Sequence, residues 1–223
     1  MKSIKLDSSE IENIEECIPY IEKMYKFKFG NSELETIRNF EEFCDLIIEK
    51  VNLENDESCT SQQAFYKLRK SLETTKIFEK EKLNPQMELK NLFPRKNRKT
   101  LIQTIENEMG FKFDIIQAPD FVTIPLLLIG VVSFFYLFFD WKVAFIGISI
   151  SIFGSYCCKW FGNELNTKTV KDLVKKITEE NYVEVRTNKS TVNKPELKMI
   201  LTNWISENSG ISKEKLKHAA FSE

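Results

Sequence analysis

Few residues in this chain stand where side-chain chemistry would need them. Ser8 and Ser9 follow Asp7 at the start of an amphipathic segment. A serine hydroxyl beside a carboxylate at a helix start suits covalent attachment of a group. It equally suits a helix cap, a role worth about 1 kcal/mol. The single histidine, His218, has no Ser or Cys companion in the sequence and reads as a surface residue. Glu106 with Glu108, and Glu179 with Glu180, read as solvated helix faces, and Ser32 in Gly30-Asn31-Ser32-Glu33 reads as a turn residue. The five cysteines, Cys17, Cys44, Cys59, Cys157 and Cys158, match neither a zinc ribbon nor a redox pair. Cys157 and Cys158 read as small packing groups, with lipid attachment as the alternative. No ligand cluster has metal spacing, and no Gly-rich phosphate loop is present. We therefore expect neither an enzyme nor a metal site.

The elements around these residues are governed by one apolar stretch. Phe121 to Phe139 is an uncharged run of 19 residues, and Val143 to Cys158 is another of 16, with Asp140-Trp141-Lys142 between them. About 20 helical residues cross a hydrocarbon core of about 30 Å. The first run is long enough. The second falls short unless Trp141 and the stems of Lys142 and Lys159 extend it into the interfaces. Leu126 to Ile129 and Phe134 to Phe139 offer no polar face, and a chain of 223 residues with 29% charged residues has no core large enough to surround them. We expect a transmembrane helical hairpin over 119–161. Asp120 would cap its first helix, with Pro125 near the start. Gly147, Ser151 and Ser155 would pack as a small stripe against Gly130 and Ser133. Homo-oligomerisation through that stripe is the alternative.

Flanking cations set the orientation. Lys90, Arg95, Lys96, Arg98 and Lys99 lie upstream, and Lys159, Lys168, Lys171, Lys175 and Lys176 lie downstream, against Lys142 alone in the turn. The positive-inside rule places both termini in the cytoplasm of a two-span protein. The first thirty residues are charged and do not resemble a secretory signal. The net charge of −1 predicts no nucleic-acid partner. The basic cluster Pro94 to Lys99 reads as a solvated or lipid-headgroup contact. The hairpin has no ionisable residue at mid-depth, which argues against a pore.

The remaining sequence reads as short helices. Ile11, Ile14, Ile18, Ile21 and Tyr25 give one, capped by Ser8 or Ser9 and interrupted at Pro19. Phe27 and Phe29 suggest a short extended piece, and Glu33 to Val51 a second helix, followed by a linker from Asn52 to Ser58. Thr60-Ser61-Gln62-Gln63 has the form of a capping box ahead of Phe65, Leu68 and Leu72. Leu101, Ile102, Ile105 and Met109 form a helix stopped by Gly110; Val170, Leu173, Val174 and Ile177 form another. Pro195 opens a last long helix that Gly210 ends.

These spacings resemble acyl carrier proteins, small four-helix bundles in which the Ser of an Asp-Ser-Leu motif carries phosphopantetheine. The resemblance occurs twice. Ala64 to Thr74, Leu83 to Phe93, Thr100 to Met109 and Thr167-Lys168-Thr169-Val170-Lys171-Asp172-Leu173 resemble one unit, with the hairpin inserted before its final helix. Pro94 to Lys99 stands where its modified Ser would be, so no arm attaches there. Lys198 to Asn208, Leu6 to Ile11, Ile14 to Tyr25 and Ile37 to Ile47 resemble a permuted unit closed by both termini. The resemblance implies carrier-like helices over 1–56, completed by 190–223. A second unit would cover 57–118 and 163–185, and 186–223 would hold the C-terminal helix and tail. We expect a mainly α, membrane-anchored, non-catalytic adaptor with no cofactor. Its partners would be membrane lipid and a cytosolic or membrane protein. The alternative is a tethered acyl or peptidyl carrier with phosphopantetheine on Ser8 or Ser9.

Overall fold

The computed structural model describes residues 4–30, 32–77 and 83–221, with Lys159 as backbone alone. Asn31 of the expected turn and the Lys159 stem lie outside the described residues. The chain runs through β1 (Ile4–Lys5), α1 (Ser8–Tyr25), a 3-10 turn (Leu34–Thr36), α2 (Phe40–Val51), β2 (Glu54–Asn55), α3 (Thr60–Thr74), α4 (Leu89–Leu92) and α5 (Arg98–Met109). It continues through β3 (Ile116–Gln117), α6 (Asp120–Tyr136), α7 (Trp141–Phe161), β4 (Glu164–Leu165), α8 (Val170–Glu180), α9 (Tyr182–Val185), β5 (Thr191–Val192), α10 (Lys194–Ser209), α11 (Lys213–Leu216) and β6 (Ala219–Ala220). The fold is mainly α, and its strands are two-residue pairings. Two compact units divide it: residues 1–69 with 174–223, and residues 70–173.

In the first unit, Ile14, Cys17 and Ile21 of α1, Phe43, Cys44 and Ile47 of α2, and Leu197, Leu201 and Ile205 of α10 share one core. Burying each such side chain contributes about 1.5–3 kcal/mol. That packing carries α1 unbroken through Pro19, where an interruption is expected from the lost backbone donor. The ends of the chain meet here: β1 and β6 pair in parallel, Ile4 beside Ala219. The 33–51 stretch is not one helix. A single 3-10 turn precedes α2, which starts where the Asn39 side chain accepts the Glu42 N–H at 2.9 Å. The Phe27 and Phe29 piece forms no strand, its two rings meeting edge to face at 4.9 Å.

The expected linker at 52–58 is built structure. β2 pairs in parallel with β5, and the segment supplies acceptors to Arg186, which is only 2% exposed. Arg186 Nε donates to Thr191 Oγ1 at 3.1 Å. Its Nη1 reaches the Ser58 carbonyl at 3.1 Å and Thr60 Oγ1 at 2.7 Å, and its Nη2 reaches the Asp56 carbonyl at 3.2 Å and Ser58 Oγ at 2.9 Å. All five guanidinium donors are used. Thr60 therefore does not cap α3, contrary to the capping-box expectation. Glu196 of α10 does so instead, accepting the Thr60 N–H at 2.8 Å and the Ser61 N–H at 3.3 Å. Burial raises the Glu196 carboxyl, and the Thr60 and Ser61 donors outweigh that to hold it below the usual range.

In the second unit, Leu89, Phe93, Ile105, Phe113 and Ile115 are fully buried. Gly110 closes α5 at φ 81°, where a side chain would strain the backbone. Asp120 is the first residue of α6 and makes no cap; Pro119, fixed in extended geometry, precedes it. Asp140 caps α7 by accepting the Lys142 N–H at 2.9 Å. Trp141 and Lys142 thus belong to α7, which has 21 residues, while the turn after Tyr136 trims α6 to 17. This reverses the expected lengths. Among the described residues one helix, through its Trp141–Cys158 stretch, is long and apolar enough to cross a membrane, and α6 is a shorter apolar helix.

The two units share a local design. In the first, the Phe221 N–H donates to the Arg38 carbonyl at 2.8 Å just before Asn39 caps α2. In the second, the Leu89 N–H donates to the Lys168 carbonyl at 2.9 Å just before Thr169 opens α8. Phe40 and Phe43 on one side, and Val170 and Leu173 on the other, are the buried residues that follow.

Glu196→Gln is expected to destabilise the protein by about 1–2 kcal/mol at neutral pH by weakening a charge-assisted cap. Because the folded carboxyl is depressed, its contribution is present above the ordinary carboxylate range and is lost as pH falls through the folded value. Denaturant titrations at pH 7 and pH 4 should show the gap between wild type and variant narrowing in acid.

Candidate functional site

Two regions compete as the working part of the molecule: the α6–α7 pair and the start of α1. The α6–α7 pair is held by small residues. A Cβ on Gly147 would lie 1.9 Å from Ser133 Oγ, and one on Gly130 would lie 2.7 Å from Ser151 Oγ. Ser151 Oγ donates to the Leu126 carbonyl at 2.8 Å. Ser155 is exposed and takes no part in this seam; Gly154 occupies its place, close against Leu126. At about 100° per residue, a step of seven returns within about 20° of Gly147, whereas a step of eight overshoots by about 80°.

The outer faces of both helices consist mainly of large apolar side chains. Leu127, Val132 and Phe135 on α6, and Ile146, Ile152 and Phe153 on α7, are all at least 60% exposed. Trp141 and Trp160 are exposed near the two ends of α7, about 28 Å apart at helical rise. That separation is close to the thickness of a hydrocarbon core.

The roots of the pair are clamped. β3 and β4 pair antiparallel, Ile116 beside Leu165, and a Cβ on Gly162 would lie 2.7 Å from the Gln117 carbonyl oxygen. Lys99 Nζ donates to the Trp160 carbonyl at 2.6 Å, satisfying an acceptor in the last turn of α7. Arg98, expected as a solvated or headgroup cation, is 6% exposed. Its Nε donates to the Phe93 carbonyl at 3.0 Å and its Nη1 to the Asn163 carbonyl. Arg95 pairs with Glu164 at 2.8 Å.

At the start of α1, Asp7 is the cap, one residue before the Ser8 or Ser9 expected in that role. Its Oδ1 accepts the Glu10 N–H at 2.9 Å, and Glu10 Oε2 accepts the Asp7 N–H at 3.0 Å. The reciprocal pair satisfies two end groups at once. Ser9 Oγ donates to Asp7 Oδ1 at 2.9 Å, so its hydroxyl is engaged. Ser8 is exposed in the first turn. The Glu10 N–H and the Ser9 hydroxyl hold the Asp7 carboxyl below its usual range. A cavity of about 390 Å³ opens on the same helix, lined by Ile11, Ile14, Ile18, Ile37 and Phe221. Ser8 lies three residues before Ile11 and seven before Glu15, which also lines it, and so shares their side of the helix. Ser9 is turned about 100° away.

The other chemistry-bearing residues stand apart. His218 lies between α11 and β6, where its carbonyl accepts the Ile4 N–H at 2.7 Å. It is half-buried, not fully solvated. Glu106 accepts the Phe113 N–H at 3.0 Å, and burial raises its carboxyl. Glu179 is buried, contrary to the solvated face expected, and burial pushes it up to about 7 against the opposing pull of Lys175. Cys44 is buried, its thiol pushed up to about 12 by desolvation, and Cys157 and Cys158 are half-buried thiols. Among the described residues no group of three or more His, Cys, Asp or Glu could hold a metal ion. Gly154 in the seam, the Lys99 contact to α7 and the buried Arg186 have no counterpart among the sequence-based expectations. The seven-residue step from Gly147 was a legible sign of the first, and no local pattern announces the other two.

No known protein family, curated protein or solved structure matches the chain.

A Leu at Gly147 would drive the side chain into Ser133, whereas a Leu at Ser155 would point away from the partner helix. In detergent micelles Gly147→Leu is expected to cost about 1–3 kcal/mol through overpacking. Ser155→Leu should leave the melting temperature within a degree or two of wild type.

Proposed function

We propose that the protein is a membrane-anchored, non-catalytic adaptor. In this reading α6 and α7 cross the bilayer as two spans, both termini are cytoplasmic, and the helices outside the spans bind a cytosolic or membrane protein. The observation that carries it is the exposure of large apolar side chains around both helices. Water would oppose each such side chain by about 1.5–3 kcal/mol, and lipid removes that cost. At 17 residues α6 spans about 25 Å, and the apolar turn Leu137 to Phe139 adds to its reach. The cations on either side of the pair, against Lys142 alone at the tip, support the orientation. The likeness between the two units supports two degenerate carrier-like bundles. The buried Arg98 stands within the segment that replaces the modified Ser of one of them.

One observation favours a second reading, a tethered acyl or peptidyl carrier. Ser8 is exposed directly after the Asp7 cap and lies on the cavity side of α1. In that reading Ser8, not Ser9, bears phosphopantetheine.

Protease added to inverted membrane vesicles should remove both termini, and protease added to right-side-out vesicles should remove neither. Cleavage of either terminus from the outer side contradicts the orientation. Intact mass after co-expression with a phosphopantetheinyl transferase separates the two readings. The adaptor keeps its unmodified mass while a control carrier gains the arm. A gain that Ser8→Ala abolishes and Ser9→Ala preserves establishes the carrier. Purification of the full chain from detergent extract should enrich a protein partner over a hairpin-only control; no enrichment removes the basis for an adaptor.

A further inference from the structure

The root of the α6–α7 pair holds a cavity of about 570 Å³ between α5 and the chain that leads into β3. Its polar lining carries both signs of charge: Lys99 and Lys112 supply ammonium groups, and Glu106 and Asp114 supply carboxylates. Ile102 and Phe111 give it apolar wall. Its position is tied to the membrane boundary in two ways. Lys99 Nζ holds the Trp160 carbonyl at 2.6 Å, beside an exposed indole. Ile116, also in the lining, lies on β3, whose antiparallel partner β4 follows α7 directly. If α7 spans the bilayer, this cavity opens at headgroup depth on the cytoplasmic leaflet.

We propose that this cavity binds the headgroup of a zwitterionic aminophospholipid, of the phosphatidylethanolamine type. The inference rests on the membrane-anchored reading above. A phosphate group fits the lysines, and a primary ammonium fits the two carboxylates and the carbonyl end of α5 near Gly110. A purely anionic headgroup would meet two like charges, and desolvated like charges oppose binding. A quaternary choline has no N–H to give the carboxylates and so forgoes the hydrogen bonds that a primary amine makes. The apolar wall faces the part of the lipid between headgroup and chains.

The test uses the full chain in lipid nanodiscs containing equal amounts of phosphatidylethanolamine, phosphatidylglycerol and phosphatidylcholine, with retained lipid read by native mass spectrometry after transfer to detergent. Phosphatidylethanolamine should be retained over both others. Asp114→Asn should lower that retention about tenfold, the effect of one charge-assisted contact. Asp114 has a φ of 24°, and Asn tolerates the left-handed region, so the fold should persist. Equal retention of the three lipids, or a preference unchanged in Asp114→Asn, overturns the headgroup site while leaving the anchor standing. A chain that fails to enter nanodiscs overturns the anchor and the site together.

Discussion

Two helices without a polar face impose the constraint on which the rest of this molecule depends. The α6–α7 seam consumes little of their surface, because Gly130, Gly147, Ser151 and Gly154 bring the backbones close with few atoms. The larger side chains are left pointing outward. Close approach and outward grease are consequences of one choice of residues, since small groups inside the seam leave no large ones to hide there. In water such an arrangement loses on every outward Leu, Ile and Phe. In lipid, backbone groups are satisfied within each helix and no penalty remains. Asp140 fits the same logic: it closes a short turn and satisfies two N–H groups where α7 begins.

The clamp at the root ties the helix pair to the polar part of the chain. Lys99, Arg98 and the β3–β4 pairing join α5 to the ends of the helix pair. Arg98 is buried between two carbonyls with the Glu164 carboxylate 3.8 Å from its Nη1, and removing it would strand those acceptors. In the unit that contains both termini, Arg186 holds 56–60 beside β5, and Glu196 of α10 replaces a local cap on α3 with a long-range one.

Much of the fold was legible because its signals are local. Apolar periodicity marked α1, α5 and α10, Gly110 and Gly210 marked helix ends, and the uncharged runs marked α6 and α7. What escaped was set by partners distant in sequence. The stretch 52–58 looks polar and loose, yet its carbonyls face a guanidinium about 130 residues away, a spacing no window can read. Thr60 has the sequence of a cap, and the tertiary carboxylate of Glu196 takes its place. The span lengths were reversed by one side chain, Asp140, which decides where the turn ends. At the candidate serine site, the residue types were visible. Asp7 as the cap and Ser8 on the cavity side emerge only from the geometry of the first turn. Glu179 shows the same limit: its type suggests solvent, and the packing of its helix buries it.

The central claim is that the α6–α7 pair resides in lipid. Washing isolated membranes with alkaline carbonate strips proteins held by charge or by partners and leaves those embedded in hydrocarbon. The full chain should stay entirely with the membrane pellet and be released only by detergent. Recovery of the chain in the carbonate supernatant as a dispersed, folded species would contradict it.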